Sequence, residues 1–350
     1  MRLSPLPRRA LLGTALATPF IQRARAEEGT LTFGAYSGIF EDNYRAAVVE
    51  PFMKANPGIK VVYYPMGSSA QTLGVLRAQK AAPQLDAVLF DVSVAKGATD
   101  DGLLEDISDL PVMKELFPSA FTKGVSGVAG TFDNYVMLYA PDKVKPAPTS
   151  WKAFWDPQFK DQIAITAPPD IVGISFTLMA NKAWGGGDYR KSVETGLAKI
   201  AEMAPNVLSW NPTPDPYTFI TQGQAKMAVG WNARGQIYSA ASGGKLAVAI
   251  PSEGSLFQIN NMCLVKGAKN TGPAKTFINY ALGTEAQKAF TERMFYAPVN
   301  AKAQISAEAL GRTAATPERM ANMLDVDWLE IARIRDGISE QWRRRILTKR

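Results

Sequence analysis

The sequence contains no histidine among its 350 residues. That excludes Ser-His-Asp and Cys-His nucleophile systems and every zinc site with a histidine ligand. It contains a single cysteine, Cys263. An intramolecular disulfide, a CxxC redox pair and a cysteine metal cluster are excluded with it. There is no P-loop, no GxGxxG and no GxSxG, the motifs that mark phosphate cradles, dinucleotide sites and nucleophile elbows. Gly185-Gly186-Gly187 lacks the lysine of a phosphate cradle and reads as a loop before a helix. No stretch after the N-terminus is long and apolar enough to span a bilayer. What is present is 46% apolar residues and 20% charged ones, enough to bury a core in about two domains.

Residues 1–26, MRLSPLPRRALLGTALATPFIQRARA, have a basic beginning, a short apolar stretch from Ala10 to Ile21, and Ala24-Arg25-Ala26 as a small-x-small cleavage site. This is the layout of a secretory signal peptide. Arg8-Arg9 before Ala10-Leu11-Leu12 resembles a twin-arginine export signal, the alternative being a general secretory signal with two arginines. The full chain carries a formal charge of +7; without the five arginines of this segment, 34 basic residues face 32 acidic ones. No nucleic-acid footprint is left. Arg343-Arg344-Arg345 reads as a solvated helix end.

The remainder alternates strands and helices. Leu31–Tyr36 reads as a strand, and Phe40, Tyr44, Val48 and Phe52 recur as on a helix face that Pro51 should kink. Asn56-Pro57-Gly58 is a turn, residues 59–64 a second strand, and Ser68-Ser69 open a helix through Lys80. Residues 86–91 form a third strand, apolar enough to be central. A parallel sheet with right-handed crossovers follows. Further strands are expected at 163–166, 226–230, 246–250 and 262–265, with helices over 188–203 and 271–289. Trp328, Ile331, Ile338 and Trp342 share one helical face.

Several segments together resemble the exported solute-binding proteins of ABC importers, extracellular solute-binding family 1, in the spermidine/putrescine-binding-like branch. They are Tyr36-Ser37-Gly38-Ile39-Phe40, Glu50-Pro51-Phe52 with Asn56–Val61, Thr149–Pro157, Val229-Gly230-Trp231-Asn232, Lys266–Asn270 and Tyr296–Asn300. The resemblance spans nearly the whole chain after the signal. It implies a type II fold of two α/β lobes with the ligand cleft between them. Lobe one would be 27–132 plus 262–298 and lobe two 133–261, with C-terminal helices from 299–350 packed on lobe two. It implies hinge closure around a small-molecule ligand, delivery to a membrane permease, a periplasmic monomer, and no catalytic residue, metal or cofactor.

Ligand-binding candidates at strand ends are Tyr36, Ser37, Ser68, Ser69, Asp91, Trp231 and Arg234. The family positions add Asn260 and Tyr296. Tyr36 can stack or hydrogen-bond, or be a core tyrosine. Ser68 and Ser69 suit an anion at a helix start, or simply cap it. Asp91 can take an ammonium, or cap the next helix. Trp231 matches the family's stacking tryptophan and suits a cation-π contact. Arg234 can grip a carboxylate bidentately, or lie free on the surface. Polyamine binders need several carboxylates. Here the acid pair after the strand at 163–166 is reduced to Asp170, out of register, and Gln258 and Asn260 stand at further aromatic or acidic positions. An amino-acid-like ligand with a carboxylate is therefore favoured over spermidine or putrescine. Alternatives within the architecture are a ferric ion, for which Tyr63-Tyr64 is a tyrosine pair within one strand, and a thiamine-type or phosphonate ligand. A secreted carboxylate-pair enzyme and a structural exported protein are the alternatives of other classes.

Overall fold

A computed structural model describes residues 28–348; the signal segment lies outside them. The first strand, β1 (Gly29–Tyr36), pairs in parallel with β2 (Ile59–Met66) and β3 (Ala87–Asp91). Between β1 and β2 the chain runs as α1 (Ile39–Tyr44), one π-helical turn over Arg45–Val49, and α2 (Glu50–Ala55). Pro51 stands in the first turn of α2. It has no N–H to donate and would crowd the carbonyl four residues back, and the π turn relieves both problems without ending the helix. Then come α3 (Ser69–Ala78), α4 (Val92–Asp100) and the short β4 (Leu104–Glu105).

The sequence reading missed β5 (Val128–Tyr139). All but its last residue are buried, so it shows no alternation. At about 3.4 Å per residue, 12 residues reach about 40 Å, and β5 serves both halves of the molecule. Residues 128–134 pair antiparallel with β10 (Phe257–Val265), which itself pairs with β3. Residues 135–139 pair with β8 (Met227–Trp231) and β9 (Ala247–Ala249). Beyond β8 lie β6 (Ile163–Ala164) and β7 (Val207–Ser209), both parallel to their neighbours. The order is β2-β1-β3-β10-β5-β8-β6-β7.

The second half holds α5 (Ile171–Ala183), also missed, α6 (Glu194–Met203), α7 (Pro216–Thr221) and α8 (Asn232–Ala241). The helix expected over 188–203 starts only at Glu194. Asp188 and Ser192 accept the backbone N–H groups of Arg190 and Glu194 and hold the preceding residues in turns. The helix expected over 271–289 is two, α9 (Thr271–Ala281) and α10 (Thr284–Met294). The amides of Gln287 and Asn300 donate to the carbonyls of Ala281 and Leu282 and replace the helical bonds lost at the break.

One core gathers Leu31, Phe33, Phe52, Met262, Phe277 and Phe290. Another gathers Tyr135, Trp151, Phe154, Phe176, Ile163 and Met227. Ile259 of β10 packs against both. The C-terminal chain continues through α11 (Ala307–Gly311) and α12 (Pro317–Met320) to α13 (Trp328–Arg345). Asn300 and α11 lie against Glu115 and α10 respectively, on the side of the first core. Leu324 then donates to the Ser255 carbonyl beside β10. Gly254 is required there: it has φ +92°, and a Cβ would lie 1.9 Å from the Asn322 carbonyl. Trp328, Ile331, Ile338 and Trp342 of α13 are all buried in the second core. Trp342 has its ring edge-on to Trp210, and its indole N–H reaches Thr177 Oγ1 at 2.8 Å. Trp342→Ala is expected to cost about 3–5 kcal/mol, read as a lower urea midpoint.

Candidate functional site

Strands β3, β10, β5 and β8 stand side by side, and their register assembles one row of polar groups. Asp91 faces Asn260, Asn260 faces Thr131, Gln258 faces Asp133, and Tyr135 faces Trp231. Tyr36 ends β1, Asp91 ends β3 and Trp231 ends β8. The row therefore lies where strands of an open α/β sheet deliver ligand contacts.

On the β1–β3 side, Tyr36 is the centre. Its hydroxyl is 2.8 Å from Ser69 Oγ, 3.0 Å from Asn260 Oδ1 and 3.2 Å from Asp91 Oδ1. The Asp91 N–H donates to Ser69 Oγ at 2.9 Å, and the Asn260 amide donates to Thr131 Oγ1 at 3.1 Å. Asp91 is the N-cap residue of α4 but makes no side-chain cap bond. Its Oδ1 instead accepts from the Gln258 amide at 2.8 Å, and Oδ2 has no hydrogen-bond partner among the described residues. Burial raises the Asp91 carboxyl above its ordinary value, partly offset by Gln258, Ser69 and Tyr36. Burial likewise pushes the Tyr36 phenol well up, the Asp91 charge adding to it, so it stays protonated.

The two neighbouring serines separate. Ser68 is exposed and caps α3 by accepting from the Gln71 N–H at 3.2 Å, whereas Ser69 is buried in the network. Ser37 is exposed, tied through its backbone to Met66. Tyr63 and Tyr64 also separate. Tyr63 is buried with its hydroxyl on the Tyr36 carbonyl at 2.6 Å, and Tyr64 is exposed.

On the β8 side, Trp231 is half-buried, its ring edge-on to Tyr135. The Tyr217 hydroxyl accepts from the Trp231 N–H at 2.7 Å. Gly230 permits this approach, because a Cβ there would meet the Tyr217 hydroxyl at 2.6 Å. Arg234, the third residue of α8, is exposed, with its guanidinium 5.8 Å from the Tyr217 ring centroid. It has no ion pair or hydrogen bond to any described residue. Tyr296 enters from the turn after α10. Phe295 there adopts φ +59°, the left-handed helix end usually given to glycine. The Tyr296 ring stacks on Phe290 and stands edge-on to Phe40, which is itself edge-on to Tyr36. The Tyr296 phenol is raised by burial, then by Asp133, with Asp91 acting in the same sense and Arg234 against them. The charges on both sides therefore reach Tyr296. Asp170 caps α5 through the Val172 N–H at 2.8 Å, and its charge acts on Asp91 and Tyr135.

Sequence reasoning missed Asp133. It is buried, and its Oδ1 accepts the Ala233 N–H at 3.1 Å. Burial pushes its pKa up to about 7, against backbone bonds and the Arg234 charge that lower it. The signal in the sequence was an adjacent acid and amide, Asp133-Asn134, within the otherwise largely apolar run 128–139.

A row of polar side chains shared by two α/β halves on common crossover strands defines a two-lobed binding protein. Residues 47–321 match the family described as bacterial extracellular solute-binding protein, and the chain belongs to it. The chain is 26% identical over 302 residues to the gamma-aminobutyric acid-binding protein of Pseudomonas aeruginosa, across 84% of this chain and 82% of that one. It is 23% identical over 265 residues to the spermidine/putrescine-binding periplasmic protein 1 of Haemophilus influenzae, across 71% of this chain and 70% of that one. Among solved structures, an ABC transporter substrate-binding protein from Bradyrhizobium japonicum aligns with a TM-score of 0.77 at 20% identity, over 92% of this chain and 100% of that one. The Atu4243-GABA receptor aligns with a TM-score of 0.72 at 21% identity, over 92% and 99%. These two share the fold. The named relatives are binding proteins, not enzymes.

The raised Asp133 pKa has a consequence for stability. With burial holding its pKa at about 7, the folded chain keeps this proton up to near neutrality, whereas an unfolded aspartate loses it near its ordinary value of 3.8. Asp133 therefore withdraws stability as pH rises from about 4 to 7. Asp133→Asn is expected to be more stable than the parent at pH 8, by on the order of a few kcal/mol. That gap should close towards pH 4, as followed by denaturant midpoints.

Proposed function

We propose that this chain captures a small zwitterion carrying one ammonium and one carboxylate. The observation that carries this reading is that β3 ends on the Asp91 carboxylate, which has no ion pair among the described residues, while α8 carries the Arg234 guanidinium, exposed in its first turn, and the charges of both act on Tyr296. Asp91 Oδ2 takes the ammonium. Arg234 takes the carboxylate, with Trp231 and Tyr296 against the aliphatic stem and Tyr36, Ser37, Ser68, Ser69 and Asn260 shaping the pocket around them. Contacts from both lobes favour the closed state. Lobe one is taken as 27–132 plus 262–298 and lobe two as 133–261, a division supported by the two cores. The closed monomer then presents its ligand to a membrane permease. Export rests on the signal-like residues 1–26, with the twin arginines setting the route. The name of the Pseudomonas relative supports γ-aminobutyrate as the first probe.

A thermal-shift panel of γ-aminobutyrate, other amino acids, organic acids and polyamines tests the ligand class. A compound at 100 times its Kd adds about 2.7 kcal/mol of stability. A shift with a zwitterion and none with spermidine is expected. The Haemophilus relative's name and the second carboxylate, Asp133, favour a polyamine as the second reading. A shift with spermidine alone would replace the first reading by that one. Arg234→Ala should weaken binding of a carboxylate ligand by at least about tenfold, and an unchanged Kd in calorimetry would remove the clamp. Asp91→Asn should weaken the same ligand through its ammonium, leaving an analogue without the amine unaffected.

A further inference from the structure

We infer that Asp133 is a positioning residue of the cleft. From the crossover strand it holds the first turn of α8, and its charge competes with a ligand carboxylate for Arg234. The inference rests on the reading of Arg234 given above.

Its first ground is geometric. The N-cap residue of α8 is Trp231, which supplies no side-chain cap bond. The Ala233 N–H in that first turn is met instead by Asp133 Oδ1 at 3.1 Å, across 100 residues of sequence. The bond joins β5, shared by both lobes, to the helix that begins after Trp231 and carries Arg234. A shift of β5 during closure is thereby passed to both ligand candidates. The second ground is charge. Arg234 follows Ala233 directly in α8, next to the N–H that Asp133 accepts. The charges of Arg234 on α8, Tyr217 on α7 and Tyr296 after α10 interact with Asp133, whose cross-strand neighbour on β10 is the neutral Gln258. Arg234 is the only cation of this group. When Asp133 is ionised, part of the attraction of Arg234 is already directed inward; when it is neutral, that attraction is free for a ligand. With its pKa pushed up to about 7, the two states exchange near neutrality. The chain has no histidine to titrate in that range.

The test compares the parent, Asp133→Asn and Asp133→Ala in the whole chain. Asparagine keeps an oxygen for the Ala233 N–H and loses the charge; alanine loses both. The first measurement is calorimetric titration with γ-aminobutyrate, whose own groups do not ionise between pH 6 and 8. The parent's Kd is expected to weaken roughly threefold or more from pH 6 to pH 8, and Asp133→Asn to show a flat profile. A parent with no slope, or the same slope in both, overturns the competition for Arg234. The second measurement needs no ligand. Amide exchange at Ala233 should quicken roughly tenfold or more in Asp133→Ala and stay near the parent's rate in Asp133→Asn. Unchanged exchange in Asp133→Ala overturns the positioning role. An Arg234→Ala variant that binds γ-aminobutyrate with the parent's Kd overturns the clamp reading and the competition with it. A parent that binds no γ-aminobutyrate removes that ligand, and the exchange measurement then decides the positioning role by itself.

Discussion

The architecture depends on one strand being shared. β5 spends residues 128–134 on β10 and residues 135–139 on β8 and β9. A strand must satisfy its backbone groups along its whole length, and between Asn134 and Tyr135 the pairing of β5 passes from β10 to β8. The ends of β3 and β8, which carry Asp91 and Trp231, are placed by ladders that run through β10 and β5. Ile259, packed against both cores, marks the same place on the neighbouring strand. The polar row lies at this hand-off between the two halves of the sheet.

That row carries a cost in burial. Thr131, Asp133, Asn134 and Asn260 are all buried around the crossover, and each would be unfavourable without partners. Most are answered by bonds to distant parts of the chain: Asn260 by Tyr36 and Thr131, Asp133 by α8, and Asn134 by the Ala314 N–H. The exceptions are informative. Asp91 Oδ2 and the Arg234 guanidinium have no counter-ion among the described residues, while the exposed acids and bases form ion pairs freely, such as Arg345 with Glu194. The buried amides are not all satisfied either: Asn134 Nδ2 and both side-chain polar atoms of Asn261 lack a hydrogen-bond partner among the described residues, and unpaired groups at the crossover are where a fold departs from local consistency for function.

The relatives separate fold from ligand. At about a quarter identity, the chain matches proteins whose names specify γ-aminobutyrate and polyamines. Those ligands share a primary ammonium and differ in what stands at the far end. In the proposed site, the ammonium side can stay while the β8 side changes, because the residues proposed for the far end lie on α8 and in the turn after α10 rather than in the sheet core. A function argued from this site therefore turns on Arg234 and Asp133 more than on the shared architecture.

The sequence by itself determined the elements whose pattern is local. The β1–β2–β3 unit, the buried stripe of Trp328, Ile331, Ile338 and Trp342, and the strand ends at Tyr36, Asp91 and Trp231 were legible because alternation, helical period and turn residues act over a few positions. Four features were not. β5 and α5 are buried nearly all round and show no period. The division of α9 from α10 depends on Gln287 and Asn300 capping carbonyls that the sequence does not mark. The late start of α6 rests on side-chain bonds of Asp188 and Ser192 that compete with the helix. Which polar residues face one another was decided only by tertiary structure. Gln258 meets Asp133, and Asp133 meets Ala233, through strand register and helix docking across about a hundred residues, and neither propensity nor spacing extends that far.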